Sequence, residues 1–442
     1  MVAAGRFAPG HLGELTQIVS FDLVDAALES ARAVQARVRE LPSRVVVYLL
    51  LAGCLFEEIG YGRVWAKLSS GLVGLPVASP GSSALSQARR RVGPAPLREL
   101  FGLLAGPGSG VARWRGLLIC AIDGTSMFVP DTKANLRSYD RQIGSNGDSG
   151  YPMLRLVTVV ACGARTVIGA VFGTYGVSEH AYTRRVLGCL REGMLLLADR
   201  GFDAAELIGQ LAATKADLLV RAKTGATSRA MTMLGRPLSD GSWLTLVGPV
   251  VLRVIDADIT VTPTGGSPRC ERYRLLTTLT DHHRYPATEL VELYHQRWQI
   301  ETSYRELKST ILDGRVLRAR TPAGIEQETY ALLTTYQALR LAILDATDPH
   351  PDATPLRASF TIALHTARDQ VVHAAAVFAD TTIDLVGNIG RAILADLLPE
   401  RQPRQCRRFV KRAISKHRAK GNIDRTNYPA IHITVNLLDP PT

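Results

Sequence analysis

The chain has 442 residues, too many for one ordinary hydrophobic core, and its length alone suggests about three domains. Its 46% hydrophobic content is that of a globular chain, and 52 Lys and Arg against 40 Asp and Glu leave a net charge of +12, which favours a polyanionic partner. The six cysteines (Cys54, Cys120, Cys162, Cys189, Cys270 and Cys406) are scattered, with no CxxC pair for a zinc knuckle and no compact disulfide framework, so a reducing cytoplasm is expected.

The N-terminal FAPGHLGELTQ lacks the apolar segment of a secretory signal. Residues 13–105 read as a helical domain. SFDLVDAALESARAVQARVREL has helix-forming composition with Ser20 as its cap. VVVYLLLAGCLF, from Val45 to Phe56, has 12 apolar residues where a membrane span needs about 20, so it reads as a buried helix and no membrane partner is expected. After PVASPGS, Ser82 to Arg91 forms a third helix ending in Arg89, Arg90 and Arg91, which suit groove or phosphate contacts and equally suit a solvated helix end.

Residues 110–222 read as the first part of an α/β core. Leu117 to Ile122 is the first strand, Leu154 to Cys162 and Thr166 to Phe172 form a hairpin, and Leu195 to Asp199 is the fourth strand. Asp203 is expected to cap a helix to Leu211, followed by a strand from Asp217 to Arg221. Asp123, after GLLICAI, and Asp199, after GMLLLA, each read as an acid delivered at the carboxyl end of a buried strand, where sites of α/β sheets are usually built. Either acid alone would also suit a turn, since Asp-Gly is a common turn dipeptide.

Between residues 223 and 285 the pattern alternates and is rich in Val, Thr and Ile, as in WLTLVGPVVLRVIDADITVTPTGG, which predicts an inserted β subdomain with Trp243 in its small core or on a binding surface. Pro286 then opens a helix, and residues 286–345 resume the core. In YHQRWQIETSYRELK, Tyr294, Arg297, Glu301 and Lys308 fall within an arc of about 60° at roughly 100° per residue. One wall would carry a phenol, a carboxylate and two cations. Leu293, Ile300, Tyr304, Leu307 and Ile311 form an apolar stripe beside it, while Trp298 lies on the opposite flank. An acid held between two cations suits a metal that meets a polyanion. An amphipathic surface helix with i,i+4 ion pairs accounts for the same residues.

Residues 346–442 are helical segments broken by DPHPDATP, then a basic stretch from Arg401 to Lys420 with nine Lys or Arg and no acid. That stretch reads as a phosphate-contacting arm, with Arg407, Arg408, Lys411 and Arg412 as its candidate DNA contacts, or as a solvated tail.

Asp123 in AIDGT, Asp199 in LADRGF and Glu301 within Tyr-x2-Arg-x3-Glu-x6-Lys resemble the DDE triad and the YREK signature of the insertion sequence 4 family of bacterial transposases. The likeness spans residues 13 to 345, and three motifs in order are more specific than any one of them.

The resemblance implies a ribonuclease H-like catalytic core interrupted by a β-rich insertion, with helical N-terminal and C-terminal regions. It implies two Mg²⁺ ions, or Mn²⁺, held by Asp123, Asp199 and Glu301 as catalytic residues, and phosphodiester cleavage and transfer by two-metal chemistry. By similarity, Tyr294, Arg297 and Lys308 contact the phosphates of the transposon end. Trp298 stands where relatives stack an extruded base, although a partly buried structural Trp is the alternative. The implied partners are double-stranded DNA with terminal inverted repeats and target DNA, met by a homodimer on DNA at the cytoplasmic nucleoid. Two other readings keep the same fold: a catalytically silent DNA-binding descendant, and a metal-dependent nuclease without strand transfer.

Overall fold

The computed structural model describes residues 6, 8–37, 39–70, 72, 76–144, 147–148, 150–224, 228–263, 267–373, 387–400 and 431–439. The chain divides into two compact units, Met1–Leu195 with Arg297–Leu397, and Leu196–Gln296 with Leu398–Thr442. The basic residues Arg407, Arg408, Lys411 and Arg412 lie outside the described residues.

The first unit opens with five helices: α1 (Phe21–Ser30), α2 (Ser43–Leu55), α3 (Tyr61–Ser69), α4 (Ser82–Val92) and α5 (Ala95–Leu104). Ser20 caps α1 as expected, accepting from the Leu23 N–H at 3.2 Å. The helix stops far short of the predicted Leu41, because Arg32 turns into the left-handed region (φ 52°) and the Arg32 and Ala33 N–H groups fold back onto the carbonyls of Glu29 and Leu28. α2 is buried along nearly its whole length, as its unbroken apolar run requires. Among the described residues no helix is long and apolar enough to cross a membrane.

A mixed α/β core follows. β1 (Leu118–Phe128) pairs antiparallel with β4 (Met153–Ala161), which pairs antiparallel with β5 (Val167–Thr174). Between β1 and β4 come the single turn α6 (Lys133–Leu136) and the short pair β2 (Ile143–Gly144) and β3 (Gly147–Asp148). α7 (Glu179–Val186) leads to β6 (Met194–Ala198), which begins beside β1, where the Leu118 N–H donates to the Gly193 carbonyl at 2.9 Å. Three antiparallel strands and then a strand entering beside the first is the succession of a ribonuclease H-like core.

The first strand corrects the sequence reading. β1 does not stop at Ile122 but runs five residues past Asp123 to Phe128, since Gly124 and Thr125 continue the ladder opposite Val157 and Leu156. Asp123 therefore sits in mid-strand. The AIDGT segment is not a turn.

After α10 (Trp298–Arg305), the first unit closes on α11 (Pro322–Thr347), α12 (Phe360–His373) and α13 (Asn388–Ala395). α11 has 26 residues and is the buried axis of this unit. Its interior polar groups are matched to backbone: Gln337 accepts from the Val167 N–H at 2.7 Å and donates to the carbonyls of Leu104 and Gly106, and Gln327 donates to those of Arg89 and Gly93. Each would otherwise be an unsatisfied buried group, so these bonds tie the N-terminal helices and β5 to one helix.

The second unit contains the end of β6, then α8 (Ala205–Ala212), β7 (Asp217–Arg221), β8 (Trp243–Val247), β9 (Val250–Pro263), β10 (Arg269–Thr277), α9 (Ala287–Tyr294) and β11 (Ile431–Leu437). Its strand order is β6-β7-β10-β9-β11, with β8 also on β9. Trp243 is 1% exposed and fills the core of this insertion. Asp203 does not cap α8, whose N-cap is Ala204; it is buried and accepts from the Lys223 N–H at 2.8 Å while pairing with Arg229.

Candidate active site

In the first unit the site is built on β1 and on the helical segment after α9. That segment is not one α-helix. α9 gives way to a 3-10 turn at His295–Arg297, then α10, then a π-helical stretch at Glu306–Ile311. The π turn opens on Glu306. Its carboxylate is buried and pinned by Arg165 at 2.9 Å, by Arg340, and by the Tyr336 hydroxyl at 3.2 Å. Burial, reinforced by the charge of Arg340, pulls Arg165 down to about 10. With Glu306 fixed below, the widened turn sets Lys308, whose Nζ donates to Thr125 Oγ1 at 3.1 Å.

Asp123 pairs across the sheet with Thr158, and its carboxylate accepts the Gly124 N–H at 2.8 Å. Gly124 has no spare room on its other face: a Cβ there would lie 1.8 Å from Glu179 Oε1, so only glycine keeps this strand with the Glu179 head in place. Arg297 reaches both acids of this unit, with Nη1 3.7 Å from Asp123 Oδ2 and Nη2 3.2 Å from Glu301 Oε1. Tyr304 lies behind them. Its hydroxyl donates to the Asp123 carbonyl at 2.5 Å and accepts from the Thr158 N–H at 3.2 Å and from Thr158 Oγ1 at 2.9 Å. Burial, with Asp123 nearby, pushes this phenol well up, so it stays a donor at neutral pH. Burial pulls Lys308 down.

These residues line a recess of about 340 Å³ walled by Asp123, Gly124, Thr125, Glu301, Tyr304, Arg305, Lys308 and Ser309. Trp298 stands outside it, 45% exposed, with the Arg297 guanidinium 5.5 Å from its ring centre. The exposure agrees with its place off the apolar stripe.

In the second unit Asp199 follows β6 directly and caps a short 3-10 turn, accepting the Gly201 N–H at 2.7 Å. Tyr294 is 6% exposed, and its hydroxyl donates to the Ala198 carbonyl at 3.1 Å, so it faces the backbone next to Asp199 rather than an open wall. The structure thus gathers Asp123, Glu301, Arg297 and Lys308 in one unit and sets Asp199 with Tyr294 in the other. In the N-terminal helices, Arg89 stacks 3.9 Å over the Tyr61 ring and Arg91 donates to the Leu41 carbonyl, which leaves Arg90 as the exposed cation of that run without a described partner.

Sequence reasoning placed Tyr304 only in the apolar stripe, and it did not single out Thr125, Thr158, Arg305 or Ser309. Thr125 had a signal, as the residue that ends AIDGT. Arg305 and Ser309 had a weaker one, at i+4 and i+8 from Glu301. Thr158 had none, because only strand pairing brings it to Asp123.

The residue set fits a hard divalent cation. Asp123 and Glu301 supply carboxylate oxygens with side chains 21% and 37% exposed, close enough to share one guanidinium. Among the described residues no group of three or more His, Cys, Asp or Glu side chains is gathered to hold a metal.

Residues 114–337 match the family model described as the transposase DDE domain, and residues 9–102 match that of the insertion element 4 transposase N-terminal region. The chain belongs to the insertion sequence 4 family of DDE transposases. The Escherichia coli K12 transposase InsG for insertion sequence element IS4 is 28% identical over 357 residues, covering 77% of this transposase and 78% of that one. A putative E. coli K12 transposase, InsZ, is 30% identical over 186 residues, 40% of this chain and 60% of that protein. Among solved structures, the piggyBac transposase synaptic complex with hairpin DNA overlays with a TM-score of 0.45 at 10% identity, covering 88% of this chain and 86% of that one. Transposases act on DNA, and DDE domains generally employ divalent metal ions.

Proposed function

We propose that the transposase cuts DNA at the inverted-repeat ends of an insertion sequence and joins the freed 3′ hydroxyls to target DNA, with Asp123, Asp199 and Glu301 holding two Mg²⁺ ions. The observation that carries the reading is the pair Asp123 and Glu301 in one recess with Arg305 and Lys308 on its wall. Bound there, two divalent cations would supply activation of the attacking oxygen and stabilisation of the leaving oxygen. The reading requires no nucleophile from the protein, since water and then the freed 3′ hydroxyl of DNA would attack in turn, and the acids of the recess are suited to ligation.

The chain's own residues hold and orient the strand. Lys308, anchored to Thr125, and Arg305 on the rim present cations to the phosphates flanking the scissile bond. Arg297 serves phosphate when DNA is present and is held by Asp123 and Glu301 in its absence. The exposed indole of Trp298 offers a face on which a base extruded beside the cut can stack. Tyr294 supports the end of β6, immediately before Asp199. The basic segment that includes Arg407, Arg408, Lys411 and Arg412 adds phosphate contacts, and a homodimer grips two ends.

Purified protein with labelled terminal-repeat DNA and Mg²⁺ should yield 3′-hydroxyl nicks and then joined products. Asp123→Asn should retain the DNA band shift and lose both products. Nicks without joining would instead favour a nuclease, and shifted bands without cutting a silent binder.

A further inference from the structure

We propose that Tyr304 is a positioning residue for the reaction, holding Asp123 in its metal-binding place through the Asp123 backbone; the inference rests on the two-metal reading above. Asp123 lies in mid-strand, so its carboxylate is placed by the path of β1 rather than by a turn. At that rung the Tyr304 phenol joins both strands. It donates to the Asp123 carbonyl at 2.5 Å and takes the Thr158 N–H and Oγ1 at 3.2 and 2.9 Å, and Asp123 and Thr158 are cross-strand partners.

One oxygen therefore ties the residue carrying the first acid to the strand beside it. The same side chain belongs to α10, three residues after Glu301 and on the same helix. The phenol thus couples the position of Glu301's helix to that of Asp123's strand, within one unit of the protein. Since Tyr304 is 8% exposed, no water competes readily for these bonds. Asp123 and Glu301 come from segments 178 residues apart and need a rigid link to keep a fixed separation, and this buried hydroxyl bonds directly from α10 to the backbone of Asp123.

The second unit repeats the device in simpler form, with the Tyr294 hydroxyl on the Ala198 carbonyl immediately before Asp199. A tyrosine from the helical segment around Glu301 thus holds the backbone at or next to each aspartate.

The test uses the full chain with Tyr304→Phe, which deletes one oxygen and keeps the ring packing. The readout is the Mn²⁺ concentration giving half-maximal nicking of terminal-repeat DNA, paired with binding of Mn²⁺ alone measured by electron paramagnetic resonance. Both midpoints should rise roughly tenfold, while the end-DNA Kd stays within about twofold. A purely structural tyrosine would lower the active fraction and the melting temperature without moving either midpoint, and that outcome overturns the proposal. If Tyr304→Phe does not fold, Thr158→Val removes the hydroxyl that orients the phenol and should shift both midpoints in the same direction by a smaller factor; unmoved midpoints there also overturn it. Asp123→Asn separates the two levels of the argument. If that variant still nicks with an unchanged Mn²⁺ midpoint, the two-metal reading fails, whereas loss of nicking beside an unshifted Tyr304→Phe removes only the role of Tyr304.

Discussion

Replacing Arg297 by Gln should make the DNA-free protein bind divalent metal more tightly, although Arg297 is proposed above to serve phosphate. The guanidinium stands 3.2 Å from Glu301 and 3.7 Å from Asp123, so a cation approaching these acids must displace a charge already there. Both pairs are partly exposed, with side-chain exposures of 12% for Arg297, 37% for Glu301 and 21% for Asp123, which calls for the surface scale of interaction rather than the interior one. On that scale each pair contributes roughly 0.5–1 kcal/mol, and the two together about 1–2 kcal/mol. At 1.4 kcal/mol per decade this is a gain of about five- to thirtyfold in metal affinity. Electron paramagnetic resonance of free Mn²⁺ during titration of the DNA-free protein reads it directly. Lys308→Gln is the control: it removes a cation from the same recess, but one bonded to Thr125 rather than to either acid, and should change the affinity by less than about twofold. In the presence of DNA the Arg297→Gln variant should cut more slowly, because the proposed phosphate contact would be gone. Unchanged or weaker Mn²⁺ binding by Arg297→Gln, or an equal gain from Lys308→Gln, would refute the reasoning.

Two further outcomes concern stability. Glu306→Gln leaves Arg165 and Arg340, with side chains 8% and 0% exposed, without their buried counter-charge, and should lower unfolding free energy by about 3–5 kcal/mol, read as a fall in urea midpoint at constant slope; a loss under about 1 kcal/mol contradicts the clamp. Glu57 and Glu328 share the Arg318 guanidinium, and burial, opposed by Arg318 and reinforced by Glu328, pushes Glu57 up to about 8. The folded chain therefore keeps a proton that the unfolded chain releases near 4.5, so this group's contribution to stability falls as pH rises between those values. Glu57→Gln should flatten the decline in urea midpoint across that window, and an unaltered slope would argue against it.

What the chain determines by local pattern is considerable. The apolar run at Val45–Phe56 had to be a buried helix, Ser20 had to cap α1, and the hairpin of β4 and β5 follows from two β-branched runs around a glycine turn. Membership of a transposase family was legible because the motifs around Asp123, Asp199 and Glu301 are each local in sequence. Helical spacing also separated Trp298 from the apolar stripe, and it is exposed.

Tertiary structure decided the rest, because it depends on partners far away in sequence. Whether AIDGT turns or continues as a strand hinges on Val157 and Leu156 as ladder partners, and on Glu179 occupying the space that glycine leaves open. The 100° wheel gave the signature helix one wall, but a 3-10 turn and a π turn interrupt it, the latter where Arg165 and Arg340 fix Glu306. Periodicity put Tyr294 on the polar wall and Tyr304 in the apolar stripe beside it. Only the fold shows that each hydroxyl is spent on a backbone carbonyl at or beside an aspartate, since a hydrogen bond is a matter of angstroms in space and periodicity reports only which face a side chain shares.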